Sequence, residues 1–370
     1  MRYFIVVGEA SADLHASRLI QALQAQDHEA TFAFVGGDLM AATAGVEPII
    51  HYRELAFMGI LPVLRNLGAI RRAGRRVQEA MLAFGPDVVI PVDFAGFNAE
   101  YILPFVKRRL SCPIHYYIAP KLWAWKPWRI KTLRRYVDLM LCILPFEEEY
   151  FATRGLACSY VGNPCVDATL DCLESSRHEL AQIALLAGSR RQELSSNLGL
   201  MLSATKPYRD KYRLVVAGAP GLSAEDYAPY LRDYPEVELR FGETYQLVRQ
   251  SRAALVTSGT ATLETALLGT PQVVLYRMGG QRIARWVFDH LFSVRYISLV
   301  NLILDRLAVP ELIGAEVSVA GIRQALAPLL EDSPARQAQL DSLEELQLRL
   351  GRERTSVLAA SQILKHLKHC

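Results

Sequence analysis

From Tyr3 to Val7 every position is apolar and β-favouring, the mark of a parallel strand buried on both faces. A small-residue turn at Gly8 follows, and Glu9, Ser11, Asp13 and His15 then gather polar groups at the start of an amphipathic helix running to Leu23. The rhythm repeats, with strands predicted at Thr31–Val35, Val88–Val92, Ile114–Ile118 and Leu139–Ile143 between amphipathic segments. After the polar stretch from Asp167 to Glu179, a second series has strands at Gln182–Leu186, Arg213–Ala217, Val237–Arg240, Ala253–Thr257 and Gln272–Tyr276. Such alternation predicts an α/β protein with two doubly wound parallel-sheet domains, residues 1–168 and 169–333. Beyond Pro334 only helical spacing remains, at Leu340, Leu343, Leu346 and Leu350 and then at Ile363, Leu364 and Leu367. Residues 334–370 are therefore expected to be helices that bury this face on the first domain or on a partner subunit.

Composition narrows the class. A chain of 370 residues is long enough for two cores, and a net charge of +3 without a basic run interleaved with aromatics argues against a nucleic-acid partner. Cys112, Cys142, Cys158, Cys165, Cys172 and Cys370 form no C-x-x-C pair, so buried free thiols in a reducing cytoplasm are expected. The start matches neither a signal nor a transit peptide, and no apolar stretch reaches the roughly 18 residues of a bilayer span.

Glu9, Ser11 and Asp13 lie at the carboxyl end of a strand, where open α/β sheets bind ligands. A dinucleotide site fails there, since only one glycine of G-x-G-x-x-G is present. Asp93 ends the strand Val88–Val92 and is placed to act as a general base on an incoming hydroxyl, or else to cap the helix starting near Asn98. His15 fits a structural donor better than a catalytic one. In the second domain Ser258, Gly259 and Thr260 join a strand to a helix start, whose free amides and dipole suit a phosphate. Glu264, further along that helix, could accept from ribose hydroxyls; ordinary capping is the alternative. Arg190 and Arg191 follow the strand ending at Leu186, and their guanidinium forks match diphosphate oxygens; a solvated arginine pair on a helix start is the alternative. There is no Walker lysine pattern and no evident metal cluster, so neither metal nor cofactor is expected.

The segment Leu55–Val77 joins an apolar block to Arg65, Arg71, Arg72, Arg75 and Arg76, and the loop from Tyr116 to Arg129 carries Trp123, Trp125 and Trp128 among lysines. Together they suggest an interfacial surface for an anionic membrane, against the alternative of a core helix with a solvated arginine face and buried aromatics.

The motifs GEASADLH, VDFAGFN, YYIAPKLWAWK, VGNPCVD, LLAGSRRQEL, TSGTATLETALLGTP and VNLILDRLAVPELI, in this order from about Arg2 to Ile313, resemble those of the lipid-A-disaccharide synthase family, glycosyltransferase family 19. The resemblance implies a two-domain GT-B fold and inverting transfer of 2,3-diacylglucosamine from UDP to the 6-hydroxyl of 2,3-diacylglucosamine 1-phosphate, giving a β-1,6 disaccharide and UDP. It also implies a peripheral enzyme on the cytoplasmic face of the inner membrane and a homodimer that exchanges its C-terminal segment. Position by position, it assigns Asp93 as catalytic base, Glu9 as an essential carboxylate, Arg190 and Asn301 to the diphosphate, and Glu264 to the nucleotide sugar. Ser11, Asp13 and Asn98 fall on the acceptor side. The chain departs from the family in having Ala12 where glycine is usual, expected to narrow the acceptor crevice by a methyl. It departs again in Leu350–Thr355, where a glycine-rich turn is usual. A UDP-N-acetylglucosamine 2-epimerase-like enzyme and a non-catalytic lipid-associated scaffold are the alternatives that the residues leave open.

Overall fold

The computed structural model describes residues 1–55, 67–124, 126–174, 178–277 and 295–368. They divide into two compact units, Met1–Pro164 with Glu353–Cys370, and Cys165–Arg352.

In the first unit, β1 (Arg2–Val6), β2 (Thr31–Gly36), β3 (Ile50–His51) and β4 (Val88–Pro91) form a parallel sheet in the order β3-β2-β1-β4. A second parallel sheet holds β5 (His115–Tyr117), β6 (Leu139–Cys142) and β7 (Ser159–Tyr160). Parallel bridges from Val89 to Ile114 and from Val92 to Tyr117 join the two sheets along β4 and β5. Residues of β1 alternate between two buried layers: Tyr3 and Ile5 belong to one core, Phe4 and Val6 to the other. This explains the unbroken apolar run, because neither face of the strand meets water.

The second unit repeats the plan. β8 (Leu180–Leu186), β9 (Arg213–Gly218), β10 (Glu238–Phe241), β11 (Ser251–Thr257), β12 (Gln272–Tyr276) and β13 (Glu311–Ile313) are parallel in the order β10-β9-β8-β11-β12-β13. The four-stranded sheet thus reverses its order once, between β1 and β4, and the six-stranded sheet once, between β8 and β11, while β5, β6 and β7 run in chain order. Strands β3, β7 and β13 were not predicted; they have two or three residues each, too short to carry a period.

The helical tail does not behave as one piece. The helix Pro334–Leu350 belongs to the second unit, where buried Arg336 pairs with Glu179 at 2.7 Å and the Gln339 side chain accepts the Gln272 amide at 2.5 Å. The helix Thr355–Leu367 returns to the first unit and lies against α1 (Ala10–Gln26), burying Ala359, Ala360 and Ile363 in the core that holds Tyr3 and Ile5. Gly351, in the left-handed region at φ 76°, ends the first of these helices and lets the chain turn between them.

Candidate active site

Both candidate clusters fall where a sheet reverses order, the place at which neighbouring loops diverge and leave a crevice. In the first unit the crevice loops follow β1 and β4. Gly8 leaves β1, and a Cβ there would lie 2.3 Å from the Phe94 ring, so only glycine admits that ring. Glu9 is the N-cap residue of α1, and Ser11 donates to its carboxylate at 2.5 Å.

Asp93 and Phe94 follow β4 and are successive residues in the left-handed region, at φ 46° and 47°. For residues with a Cβ this costs about 1 kcal/mol or more each and persists only where the surroundings impose it. Here the Asp93 amide donates to the Tyr117 carbonyl at 3.2 Å. The Asp93 carbonyl in turn accepts from the Asn98 side chain at 2.9 Å and from the Tyr116 hydroxyl. Burial raises the Asp93 carboxyl above the usual carboxylate range; the Lys121 charge opposes this and the Glu9 charge reinforces it. A raised, partly exposed carboxyl suits proton abstraction better than a fully solvated one does.

Two of the acceptor-side residues are engaged by the fold itself. Asp13 is buried, and its carboxylate accepts the amides of Gly37, Leu39 and Met40 at 2.7, 3.1 and 3.4 Å. It therefore caps the start of α2 (Asp38–Ala44). Asn98 is fully buried and serves the Asp93 backbone from within. Ala12 also moves, since its methyl is packed in the core with Ala16 and Leu19 and narrows no crevice.

In the second unit the loops after β8 and β11 line a cleft of about 1390 Å³, formed by residues of that unit alone. Arg190, Ser258, Gly259, Thr260 and Glu264 all line it. The helix Thr260–Leu267 begins at Gly259, with φ 155° and no side-chain cap, so its first amides lack intrahelical acceptors. Tyr245 donates to Glu264 at 2.9 Å across the cleft wall. After β8, Glu193 accepts the amides of Ser189 and Arg190 at 2.9 and 3.3 Å, and a Cβ on Gly188 would meet the Glu193 side chain at 2.5 Å. Those two amides are committed to the Glu193 carboxylate. Arg190 lines the cleft with its guanidinium 3.8 Å from the Glu193 carboxylate, whereas Arg191 pairs with Asp226 at 2.8 Å. Sequence spacing had not singled out Glu193 or Tyr245; the Arg190-to-Glu193 spacing of a capping box was the available signal for the former.

Asn301 stands within the fold and not on the wall of this cleft. It is fully buried, its amide group donates to the Val309 carbonyl and to Glu311 at 2.9 and 2.8 Å, and its oxygen accepts the amides of Ala308 and Val309 at 2.8 and 2.9 Å. Two donors and two lone pairs are an asparagine's full capacity, so its side chain is fully engaged by the fold here.

For the interfacial segment, Arg71, Arg72, Arg75 and Arg76 are all exposed on the helix Leu67–Phe84, while Val77 and Met81 on its other side are core residues. Residues 56–66, Trp125 and Cys370 lie outside the described residues. Trp123 is half-buried and donates its indole N–H to Glu147 at 2.9 Å, so this ring is held by the fold; Trp128 is 65% exposed. Among the described residues no helix is long and apolar enough to cross a membrane.

The family model "Lipid-A-disaccharide synthetase" matches residues 3–366. The chain is 35% identical over 378 residues to the lipid-A-disaccharide synthase of Myxococcus xanthus, covering 99% of this chain and 97% of that one. It is 36% identical over 376 residues to that of Anaeromyxobacter dehalogenans strain 2CP-C, covering 97% and 96%. Among solved structures it is similar to a putative UDP-N-acetylglucosamine 2-epimerase from Listeria monocytogenes, with TM-score 0.66 and 14% identity over 100% of this chain and 97% of the other. The glycotransferase of kitacinnamycin gives TM-score 0.65 and 13% identity over 99% of each. At such identities the structural likeness speaks for the GT-B fold alone. The chain belongs to the lipid-A-disaccharide synthetase family and is a glycosyltransferase of GT-B fold.

Proposed function

We propose that this chain transfers 2,3-diacylglucosamine from UDP to the 6-hydroxyl of 2,3-diacylglucosamine 1-phosphate, inverting the anomeric centre and releasing UDP. The observation that supports it is the division of labour between the two order reversals: Asp93 and Glu9 at one, Arg190 and an uncapped helix start at the other. Asp93 takes the proton of the acceptor hydroxyl as its oxygen attacks the anomeric carbon. The bond to UDP breaks, and charge grows on the diphosphate, where Arg190 and the amides at Gly259 and Thr260 receive it. Glu264 orients the nucleotide sugar.

The same reading places the enzyme on an anionic membrane at the cytoplasmic side, with Arg71, Arg72, Arg75 and Arg76 toward the headgroups. It also includes a homodimer in which the helix Thr355–Leu367 of one chain takes the place beside α1 of the partner. Incubation with UDP-2,3-diacylglucosamine and the monosaccharide 1-phosphate should give the disaccharide and UDP in equal amounts by mass spectrometry. A free epimerised sugar, or no UDP release despite UDP binding, would refute the transfer. Asp93→Asn should lower turnover by at least roughly a hundredfold while leaving UDP affinity unchanged; near-parental turnover in the folded variant would remove Asp93 from the role of base.

A further inference from the structure

Asp93 is held by its backbone more than by its side chain. Its amide is bound to the Tyr117 carbonyl, and its carbonyl is gripped twice, by the Asn98 side chain and by the Tyr116 hydroxyl. Asn98 and Tyr116 are fully buried and lie 3.4 Å apart, so the two donors form a connected pair. The residue they grip is the first of two left-handed non-glycine residues, and the second, Phe94, lays its ring over Gly8. Left alone, this turn would relax to an ordinary conformation, because a Cβ disfavours the left-handed region. A strained turn with two buried donors on its own carbonyl is a device for fixing the direction in which the next atoms leave the backbone.

We propose that Tyr116 and Asn98 are positioning residues: they clamp the Asp93 carbonyl and thereby hold the Asp93 carboxylate on the line of the acceptor hydroxyl, without touching substrate. This rests on the reading of Asp93 as general base. Misplacing a reacting group by about 1 Å can cost on the order of a hundredfold in rate, so the loss of one of two clamping bonds is expected to cost roughly tenfold.

The test uses Tyr116→Phe, which removes the hydroxyl and keeps the ring. Turnover should fall roughly tenfold while the Michaelis constant for the UDP-sugar stays within about twofold, a split that general loosening of the fold would not give. In an Asp93→Asn background Tyr116→Phe should add nothing, since a residue acting through Asp93 has nothing left to position. Should Tyr116→Phe fold poorly, Asn98→Ala is measured in the same way and carries the same expectations. Parental turnover in Tyr116→Phe and Asn98→Ala with Asp93→Asn inactive overturns the clamp alone. A further tenfold loss on the Asp93→Asn background overturns it too, as the pair would then act elsewhere. Near-parental turnover in Asp93→Asn removes the base and the clamp together.

Discussion

Residue types with the same local signature separate once their hydrogen bonds are counted. Arg190 and Asn301 both stand in motifs that the family resemblance assigns to the diphosphate, yet the Arg190 side chain is 74% exposed in the cleft whereas Asn301 has every polar atom engaged. Arg190→Ala is therefore expected to weaken UDP binding at least roughly tenfold by calorimetry, the loss of a charge-assisted contact, with little change in melting temperature. Asn301→Ala should do the reverse. It strands the amides of Ala308 and Val309 and frees Glu311 from one donor, costing about 2 kcal/mol or more of stability, and any loss of affinity should follow the fraction unfolded. A large affinity loss in a fully folded Asn301→Ala variant would contradict this assignment. The same distinction applies at Asp13, whose carboxylate has three amide donors, and at Glu9, whose carboxylate at the strand end accepts the Ser11 hydroxyl. A motif supplies residue types; it does not say which of their atoms are already spent on the fold.

Among the elements, the helix Thr355–Leu367 is tied to the sheet through a histidine pair, with His115 and His366 ring nitrogens 3.0 Å apart. His115 is buried on β5; burial pushes its pKa from 6.5 down to about 3, the His366 charge adds to this, and Asp138 opposes it. The native chain thus keeps His115 neutral where the unfolded chain would be protonated. Stability from this group is fully present above about pH 6.5 and is lost as pH falls from there toward about 3, with a slope of at most about 1.4 kcal/mol per pH unit. Glu147 works in the opposite sense. Burial raises its pKa from 4.5 to about 7 despite its bonds from Trp123, Leu144 and Ile143, so its contribution is present below pH 4.5 and is lost as pH rises through about 7. Taking the difference between parent and variant isolates the histidine: His115→Gln should flatten the fall in stability between pH 6.5 and 3 in denaturant titrations. Parallel curves for the two proteins would mean that His115 is protonated in the native state.

For the whole molecule, the exposed arginines of the helix Leu67–Phe84 carry the membrane proposal. Changing Arg71, Arg72, Arg75 and Arg76 together to Ser should sharply reduce cosedimentation with phosphatidylserine vesicles, at about 1 kcal/mol per arginine, and raised salt should reduce the parent's binding likewise. Unchanged binding would assign the anionic contact to another surface. The two-domain α/β plan was legible in the chain because strands buried on both faces must be apolar throughout and helices half-buried must be periodic; both are local constraints. For the same reason the loops after β1, β4, β8 and β11 stood out as polar, small-residue interruptions at strand ends. The sequence by itself therefore determined the alternation of elements and the turns at which chemistry could occur. Strand order, the grip on Asp93, the burial of Asp13 and Asn301 and the parting of the two tail helices were decided only by the tertiary structure, since each depends on groups far apart in sequence competing for the same hydrogen bonds and the same buried space.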